Sequence, residues 1–323
     1  MTRRAILVPI DDATSAGSLA SGECALVIGN FDGVHRGHQA VLHQVVAEAR
    51  ALGLASSVLT FDPHPAVVVG AGAPPLLARM DRRVELMGAI GIERAYVRRF
   101  DASFASWTAE RFVRDLVVEA LRARVVVVGH NFRFGSKRAG DLTLLRELGA
   151  ALGFEARVHP VASDAHGPFS STRAREAIAA GELEEAARVL GRPHELSGVV
   201  VRGDERGRAL GFPTANLDDV TEMLPPHGVY AVKVDDLDAQ GEAGPLAEGV
   251  TNVGVRPTVA AAGGTKRTIE TFLFDFAGDL YGRRLRLHLV ARLRDERRFG
   301  SLDELKAQIA RDVAQARKVL FGG

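Results

Sequence analysis

The chain of 323 residues contains a single cysteine, Cys24, and no long run of apolar residues. One cysteine excludes an internal disulfide and a zinc site built from several cysteine ligands. It also fits a reducing compartment, so a cytoplasmic location is expected. The apolar run from Ala5 to Ile10 is too short for a signal peptide core, and the stretch from Pro65 to Ala78 is broken by glycines and prolines. No segment is therefore predicted to cross a membrane.

An excess of charge of one sign is also absent. Lys and Arg together number 41, Asp and Glu number 40, and the formal net charge is +1. Without a basic surplus, no uniform electrostatic attraction to nucleic acid or acidic lipid is expected, and neither is predicted as a partner. Apolar residues make up 46% and charged residues 25%, as in an ordinary globular protein, and the length corresponds to about two domains.

The first part of the chain alternates between strand and helix patterns. Apolar runs predict strands at 24–29, 55–61, 95–97 and 125–128, and apolar residues at helical spacing predict helices between them. This alternation predicts βαβ units around a parallel sheet, in an α/β domain that spans residues 1–186.

The pattern changes near residue 190. Short extended runs follow one another, several with alternating polar and apolar residues, and no helix separates them until about the last 20 residues. There, Ser301 and Glu304 form a capping box at the start of a helix. The pattern predicts a small antiparallel β-barrel with a C-terminal helix over residues 187–323.

A decapeptide in the first half carries the strongest chemical signal. It follows the first predicted strand, opens the first predicted helix and reads Gly29-Asn30-Phe31-Asp32-Gly33-Val34-His35-Arg36-Gly37-His38. At this spacing His35 and His38 share one face of a helix start, where free backbone N–H groups attract phosphate. Gly37 allows a ligand to approach the backbone, and two imidazoles can donate hydrogen bonds to phosphate oxygens. The alternatives are a pair of surface histidines or a metal site, although no third ligand is obvious nearby.

This decapeptide resembles the HxGH motif of the nucleotidyltransferase superfamily. In the form GNFDGVHRGH it is similar to the prokaryotic bifunctional riboflavin kinase/FAD synthetases. Three later segments resemble the same family in the same order: Thr60–Pro65, Gly129–Gly135 and the SSTxxR segment Ser170–Arg175. The resemblance implies that residues 1–186 form a Rossmann-like FMN adenylyltransferase domain, in which the FMN phosphate attacks the α-phosphorus of ATP and pyrophosphate leaves.

The resemblance also implies roles for individual residues. His35 and His38 would stabilise the α-phosphate, and Arg175 would hold the β- and γ-phosphates with its planar guanidinium. The other implied nucleotide or flavin contacts are Gly29, Asn30, Phe31, Gly37, His64, Asn131, Ser171 and Thr172. Two of these have a structural alternative, because His64 stands between prolines in a rigid turn and Asn131 is a common turn residue.

One departure from the family pattern stands just before the serine pair. A basic residue is often found there, and this chain has Pro168 and Phe169. One phosphate contact is therefore expected to be missing or to come from another arginine.

The second half carries a second motif, in which Thr214 and Asn216 are two residues apart. In an extended strand they lie on one side, and their oxygens are hard ligands suited to Mg²⁺ bridging ATP phosphates. The alternative is a hairpin turn with both side chains facing solvent. The segment Gly211–Asn216 resembles the GFPTAN motif of riboflavin kinases, and Thr251–Thr258 and Glu270–Gly282 resemble later segments of that family.

This second resemblance implies a riboflavin kinase domain over residues 187–323. Glu270 would be the general base that takes the proton from the riboflavin 5′-hydroxyl. Thr214 and Asn216 would hold Mg²⁺. Further nucleotide or flavin contacts are implied for Gly207, Arg208, Asn252 and Arg294.

The two resemblances together predict one chain that makes FAD in two steps. Riboflavin and ATP give FMN and ADP at the C-terminal site, and FMN and ATP give FAD and pyrophosphate at the N-terminal site. Three alternatives remain: an adenylyltransferase for pantetheine phosphate or a pyridine mononucleotide, a non-catalytic flavin-binding or carrier protein, and a transfer-RNA synthetase. A single-activity adenylyltransferase would give Glu270 no role. A transfer-RNA synthetase fits poorly because the chain is short and has no basic RNA-binding domain. The oligomeric state is not predicted.

Overall fold

A computed structural model describes residues 5–11, 22–70, 72–203, 211–239, 244–257 and 265–322. The chain divides into two compact units, one made of Met1–Pro74 and Ala78–Ser170 and the other of Pro75–Leu77 and Ser171–Gly323. In this division, the two helices that precede the barrel belong to the same unit as the barrel. The sequence-based boundary between residues 186 and 187 stays a prediction. No helix in the described ranges is both long and apolar enough to cross a membrane.

The first unit is built on a six-stranded parallel sheet. Its strands are β1 (Ile6–Ile10), β2 (Cys24–Ile28), β3 (Ala55–Asp62), β4 (Arg94–Arg99), β5 (Ala123–Gly129) and β6 (Glu155–His159). Their order in the sheet is β1-β4-β3-β2-β5-β6. Every side chain of β2 is buried, because helices cover both faces, which explains its unbroken apolar sequence.

Helices connect these strands. They are α1 (Arg36–Leu52), α2 (Pro65–Val68), α3 (Met80–Ile90), α4 (Ala102–Ala105), α5 (Ala109–Arg111, continued by π-type turns over Phe112–Ala120) and α6 (Leu142–Leu152). Helices α1 and α3 pack on one face of the sheet, and α5 and α6 pack on the other. The α/β prediction is confirmed. Residues 112–120 depart from regular α-helix: the backbone widens into π-type turns, and the buried residues recur every four positions.

A short hairpin, β7 (Ser163–Asp164) and β8 (Gly167–Pro168), leads to the second unit. That unit begins with helices α7 (Ser171–Ala180) and α8 (Leu183–Leu190). It continues with the strands β9 (His194–Val201), β10 (Thr214–Asp218), β11 (Gly228–Asp236), β12 (Gly244–Pro257), β13 (Thr265–Leu273) and β14 (Arg284–Asp295). These six strands close an antiparallel barrel in the order β10-β13-β12-β11-β14-β9, as the sequence predicted.

The last helix, α9 (Leu302–Phe321), packs on the outside of the barrel. Its Ala316 contacts Val229 and Ala231 in a cluster of buried apolar residues. The Ser301 hydroxyl accepts a hydrogen bond from the backbone N–H of Glu304, as predicted for the cap. The Glu304 carboxylate accepts one from Gly300, one residue earlier than the standard capping box expects.

Candidate active sites

His35 ends the loop between β2 and α1, and His38 lies in the first turn of α1; residues 29–38 are called the histidine loop below. In the sheet β2 lies between β3 and β5, and the chain runs outward from this point in both directions. The carboxyl ends of parallel strands at such a switch point form the usual ligand crevice of an open α/β sheet. The loops after β3 and β5 leave the same edge as neighbours, so His64 and Asn131 follow strands on either side of the histidine loop.

The backbone of this loop is strained. Phe31 has φ 51° and Val34 has φ 42°, and Gly33 between them has φ 79°. A left-handed conformation is costly for an aromatic residue and more so for a β-branched one. Phe31 and Val34 are both buried, at 2% and 0% exposure, so packing holds them in this conformation.

A buried ion pair also holds the loop. The Asp32 carboxylate lies 3.1 Å from the Arg83 guanidinium on α3, and both side chains are about 5% exposed. Arg83 also donates to the carbonyl oxygens of Ala78 and Asn30, and Asp32 accepts from the Ala78 N–H. Arg83 was not predicted from the sequence, because an arginine in an amphipathic helix carries no sign of its distant partner.

The two histidine rings stack at the start of α1. Their centroids are 3.6 Å apart at an angle of 23°. His35 caps the helix, and its Nδ1 accepts a hydrogen bond of 3.3 Å from the His38 backbone N–H. Because Nδ1 accepts, the neutral His35 ring carries its proton on Nε2. The predicted placement of both histidines at a helix start is thus what the structure has.

His38 is a neutral imidazole in this setting. Burial lowers its pKa well below 6.5, and the neighbouring His35 and Arg83 lower it further. Its Nδ1 is buried and has no hydrogen-bond partner among the described residues. A buried polar atom without a partner is rare, and a ligand would supply one. The histidine pair is therefore suited to donate hydrogen bonds rather than to neutralise charge.

Gly37 marks a close approach between two chain segments. A Cβ atom at this position would lie 2.8 Å from the Phe169 carbonyl oxygen and 3.0 Å from the His35 ring. A side chain does not fit, so the glycine is required by packing. At Gly29 a Cβ atom would lie 3.1 Å from the Phe31 ring, which is a tighter contact than most residues tolerate.

His64 and Asn30 are brought together beside this loop. The Asn30 amide nitrogen lies 2.9 Å from His64 Nε2, and His64 Nδ1 accepts from the Ala66 N–H at the start of α2. Asn131 is exposed on the other side and makes no hydrogen bond to a described residue. Ser171, Thr172 and Arg175 lie on α7, in the unit that contains the barrel.

The barrel carries a row of polar residues across three adjacent strands. Glu270 on β13 is opposite Asn216 on β10 and also opposite Asn252 on β12. Residues directly opposite on paired strands point to the same face, so the carboxylate has an amide on each side. Their chain neighbours Ile269 and Thr271 are buried inside the barrel, so the polar row lies on the outer face.

A cavity of ≈ 580 Å³ adjoins one end of this row, and both Thr214 and Asn216 line it. Gly203 also lines the cavity and packs closely against Asn216, since a Cβ atom on Gly203 would lie 2.3 Å from the Asn216 amide nitrogen. A hydroxyl and an amide oxygen facing one cavity fit a divalent cation whose remaining ligands are phosphate oxygens. Within the described ranges no group of three or more His, Cys, Asp or Glu side chains could hold a metal by itself.

Comparison with known proteins identifies both units. A family model described as FAD synthetase matches residues 18–173, and one described as riboflavin kinase matches residues 190–320. The bifunctional riboflavin kinase/FMN adenylyltransferase of Escherichia coli K12 is 44% identical over 300 residues, which is 93% of each chain. This chain belongs to the bifunctional riboflavin kinase/FMN adenylyltransferase family.

Other relatives agree over the same length. The Bacillus subtilis bifunctional riboflavin kinase/FMN adenylyltransferase is 34% identical over 90% of each chain. A crystal structure of a macrolide-efflux protein from Streptococcus pneumoniae is 31% identical, with a TM-score of 0.83, and covers 95% of this chain and 97% of that one. Efflux is part of the name of that protein and is not attributed to this chain. The likeness shows that the two chains share a fold.

Membership in the bifunctional family confirms the resemblance, the fold class and the two enzyme activities predicted from the motifs. Both family models match in one chain and in the predicted order. That result favours a bifunctional enzyme over an adenylyltransferase with a single activity, a non-catalytic flavin carrier and a transfer-RNA synthetase.

Arg294 has a structural partner that the motif did not reveal. Its guanidinium binds both carboxylate oxygens of Asp312 on α9, with Nε 2.9 Å from Oδ1 and Nη2 2.7 Å from Oδ2. Asp312 is buried, so the pair ties α9 to β14. A flavin contact for Arg294 stays a prediction. Gly207 and Arg208 lie outside the described residues.

Proposed function

We propose that the two reactions of this family take place in this chain at the two sites described above. The barrel phosphorylates riboflavin to FMN with ATP, and the parallel-sheet unit transfers the adenylyl group of ATP to FMN to form FAD. The observation that carries this proposal is that each unit holds its own cluster of reactive polar side chains. One is the stacked pair of His35 and His38, and the other is the row of Asn216, Glu270 and Asn252.

In the kinase reaction Glu270 acts as the general base. Its carboxylate takes the proton of the riboflavin 5′-hydroxyl, and that oxygen attacks the γ-phosphorus of ATP. The bond between the γ-phosphorus and its bridging oxygen breaks, and the electron pair leaves with ADP. The flanking amides of Asn216 and Asn252 orient the reacting groups. Thr214 and Asn216 would hold Mg²⁺, which when bound offsets the charge of the ATP phosphates.

In the adenylyl transfer the chain needs no covalent nucleophile. A phosphate oxygen of FMN attacks the α-phosphorus of ATP, the bond to the α–β bridging oxygen breaks, and the electron pair leaves with pyrophosphate. His35 donates from Nε2, and His38 and the free N–H groups of α1 add further donors to the phosphate. Contacts to nucleotide, flavin or phosphate are proposed for Gly29, Asn30, Phe31, Gly37, His64, Asn131, Ser171, Thr172 and Arg175.

Riboflavin, FMN and ATP are the substrates of this scheme, and Mg²⁺ is its proposed cofactor. The balanced charge of +1 supports the absence of a nucleic-acid partner. The buried free thiol of Cys24, the one cysteine of the chain, supports a cytoplasmic location.

The scheme is tested by incubating the purified protein with riboflavin, ATP and Mg²⁺ and resolving the flavins by chromatography over time. FMN should rise first and then give way to FAD. A parallel reaction supplied with FMN should form FAD directly, and removing Mg²⁺ with a chelator should stop both reactions. FMN that accumulates without FAD would contradict the N-terminal assignment, and no turnover from either substrate would contradict both.

A further inference from the structure

Neither the two histidines nor Arg83 offers a positive charge to a ligand. His38 is neutral, and the His35 ring is neutral as well, because its Nδ1 accepts a hydrogen bond from the His38 backbone N–H. Arg83 is buried, and its guanidinium is occupied by Asp32 and two backbone carbonyls. The substrates of this loop carry several phosphate charges, and pyrophosphate gains charge as it leaves. Adenylyl transfer depends on neutralising such charge, so a cation at this helix start would act together with the proposed Arg175 and Mg²⁺.

Arg36 is an exposed cation at this point of the chain. It is the first residue of α1, next to the capping His35. Its guanidinium carbon lies 4.7 Å from the centroid of the Phe169 ring, and no acidic side chain among the described residues pairs with it. Stacking on a ring orients a guanidinium and leaves its charge and its N–H donors free.

A second stacked arginine in the same unit shows the contrast. The Arg111 guanidinium lies 4.1 Å from the centroid of the Trp107 ring, but it also pairs with Asp115 at 3.1 Å. Its charge is therefore already balanced within the protein, whereas the charge of Arg36 is balanced by no described acidic group.

The ring that orients Arg36 is itself fixed relative to the helix start. The Phe169 N–H donates to the Ala162 carbonyl at 3.0 Å. The Phe169 carbonyl lies so close to Gly37 that a Cβ atom there would be 2.8 Å away. Two backbone constraints thus place the ring, and through it the guanidinium, beside the histidine pair.

We propose that Arg36 binds a phosphate of the substrates of adenylyl transfer and that Phe169 is the positioning residue that holds its guanidinium in place. The proposal rests on the function proposed above for this loop. It also identifies a source for the phosphate contact expected from another arginine, because Pro168 and Phe169 stand where a basic residue is often found. The guanidinium donates to phosphate oxygens before the bond to the bridging oxygen breaks and stabilises the charge that then gathers on pyrophosphate.

The test uses the full chain with Arg36→Ala, Arg36→Lys and Phe169→Leu. Arg50→Ala is the matched control, because Arg50 is exposed in the last turn of the same helix. FAD formation is measured against ATP and against FMN, riboflavin phosphorylation is measured on the same samples, and binding of inorganic pyrophosphate with Mg²⁺ is measured by calorimetry. Arg36→Ala is also assayed with added guanidinium ion, which can restore a missing guanidinium but not a folding defect.

Arg36→Ala should lower kcat/KM for FAD formation by about 10- to 100-fold, the loss expected for one charge-assisted hydrogen bond. Arg36→Lys should retain part of the activity, guanidinium ion should restore part of it, and Phe169→Leu should raise KM more than it lowers kcat. The rate of riboflavin phosphorylation should stay within about twofold of wild type in every variant. FAD formation by Arg50→Ala should also stay within about twofold of wild type. A change in KM for ATP identifies the ATP phosphates as the ligand, and a change in KM for FMN identifies the FMN phosphate.

Two results would overturn the proposal. One is Arg36→Ala with unchanged FAD formation and unchanged pyrophosphate affinity. The other is a loss that guanidinium does not restore and that Arg36→Lys shares in full, because that pattern indicates a structural role. Wild-type protein that forms no FAD would contradict the proposed function instead, and the dependence of pyrophosphate affinity on Arg36 would still decide this proposal.

Discussion

The two proposed active sites of this chain are built in opposite ways. The histidine site lies within ten consecutive residues, and its side chains are held by strained backbone and by a buried ion pair from a neighbouring helix. The proposed kinase site is spread over three strands that are distant in sequence, and its side chains are aligned by barrel register on regular extended backbone.

The two sites differ in how much backbone strain is needed to position their side chains. A short loop that places two rings at 3.6 Å needs residues in a left-handed conformation, and the surrounding core must hold them there. A row across a sheet needs no strain, because opposite residues on paired strands already share a face. The first site should therefore be sensitive to changes in its support, and the second should be sensitive mainly to changes in its reactive groups.

The largest effect is expected at the centre of the kinase row. Glu270→Gln keeps the shape and removes the base, so FMN formation should fall by about 10²- to 10⁴-fold. FAD formation from supplied FMN should be unchanged, because it occurs in the other unit. Initial rates with each flavin check this, with Glu248→Gln on β12 as the control. Equal loss of both activities in folded protein would end the description of two independent sites.

The support of the histidine loop should show the next effect. Arg83→Met removes the guanidinium that balances the charge of the buried Asp32 carboxylate, which costs about 3–5 kcal/mol of unfolding free energy. Denaturant unfolding measures this, and FAD formation should be lost while FMN formation persists. Arg111→Met, which removes an exposed ion pair in the same unit, should change stability little. If the two variants behaved alike, the buried pair would not be the support of the loop.

The reactive groups of the histidine loop come next. His38→Ala removes a donor to the transferring phosphate, and FAD formation should fall by about 10²- to 10³-fold with FMN formation unchanged. His43→Ala, an exposed histidine on the same helix, is the control. Retention of full FAD formation in His38→Ala would exclude this histidine from the reaction.

The smallest effect is expected from the charge state of His288, which is partly buried like His38 but differs from it in charge. His38 is held neutral, whereas His288 in the barrel lies between Asp235 at 2.7 Å and Glu195 at 3.2 Å. Burial alone would lower the pKa of His288, but hydrogen bonds to both carboxylates outweigh it and raise the pKa to about 9. Because the folded pKa lies above the unfolded one, the charged histidine stabilises the barrel below pH 6.5, and this contribution is lost as pH rises through about 9.

The contribution of His288 is at most about 3 kcal/mol. Unfolding free energies at pH 6 and pH 10 measure it, and His288→Gln should flatten that part of the profile. The exposed His227 offers a control, since His227→Gln should leave the profile unchanged. A wild-type profile as flat as that of His288→Gln would show that the two carboxylates do not hold a charge on His288.

Sequence reasoning succeeded where the signal was local. The decapeptide at residues 29–38 and the segment at residues 211–216 are contiguous, so the family resemblance that they carry depends on neighbours in the chain. The same holds for the alternation of strands and helices and for the cap at Ser301. Sequence reasoning did not identify the ion pair of Asp32 and Arg83. It predicted a flavin contact for Arg294 but not the ion pair of Arg294 with Asp312.

The sequence by itself determined the two-domain plan, the parallel sheet followed by a barrel, and the family to which both motifs point, because hydrophobic periodicity and contiguous motifs depend on nearby residues. Tertiary structure alone decided that Glu270 lies between Asn216 and Asn252, that Arg83 neutralises Asp32, and that Phe169 stacks on Arg36. These pairs depend on strand order, register and the crossing of distant segments, which no single stretch of sequence encodes. The neutral state of His38 likewise follows from burial beside another imidazole and an arginine, and that environment exists only in the folded chain.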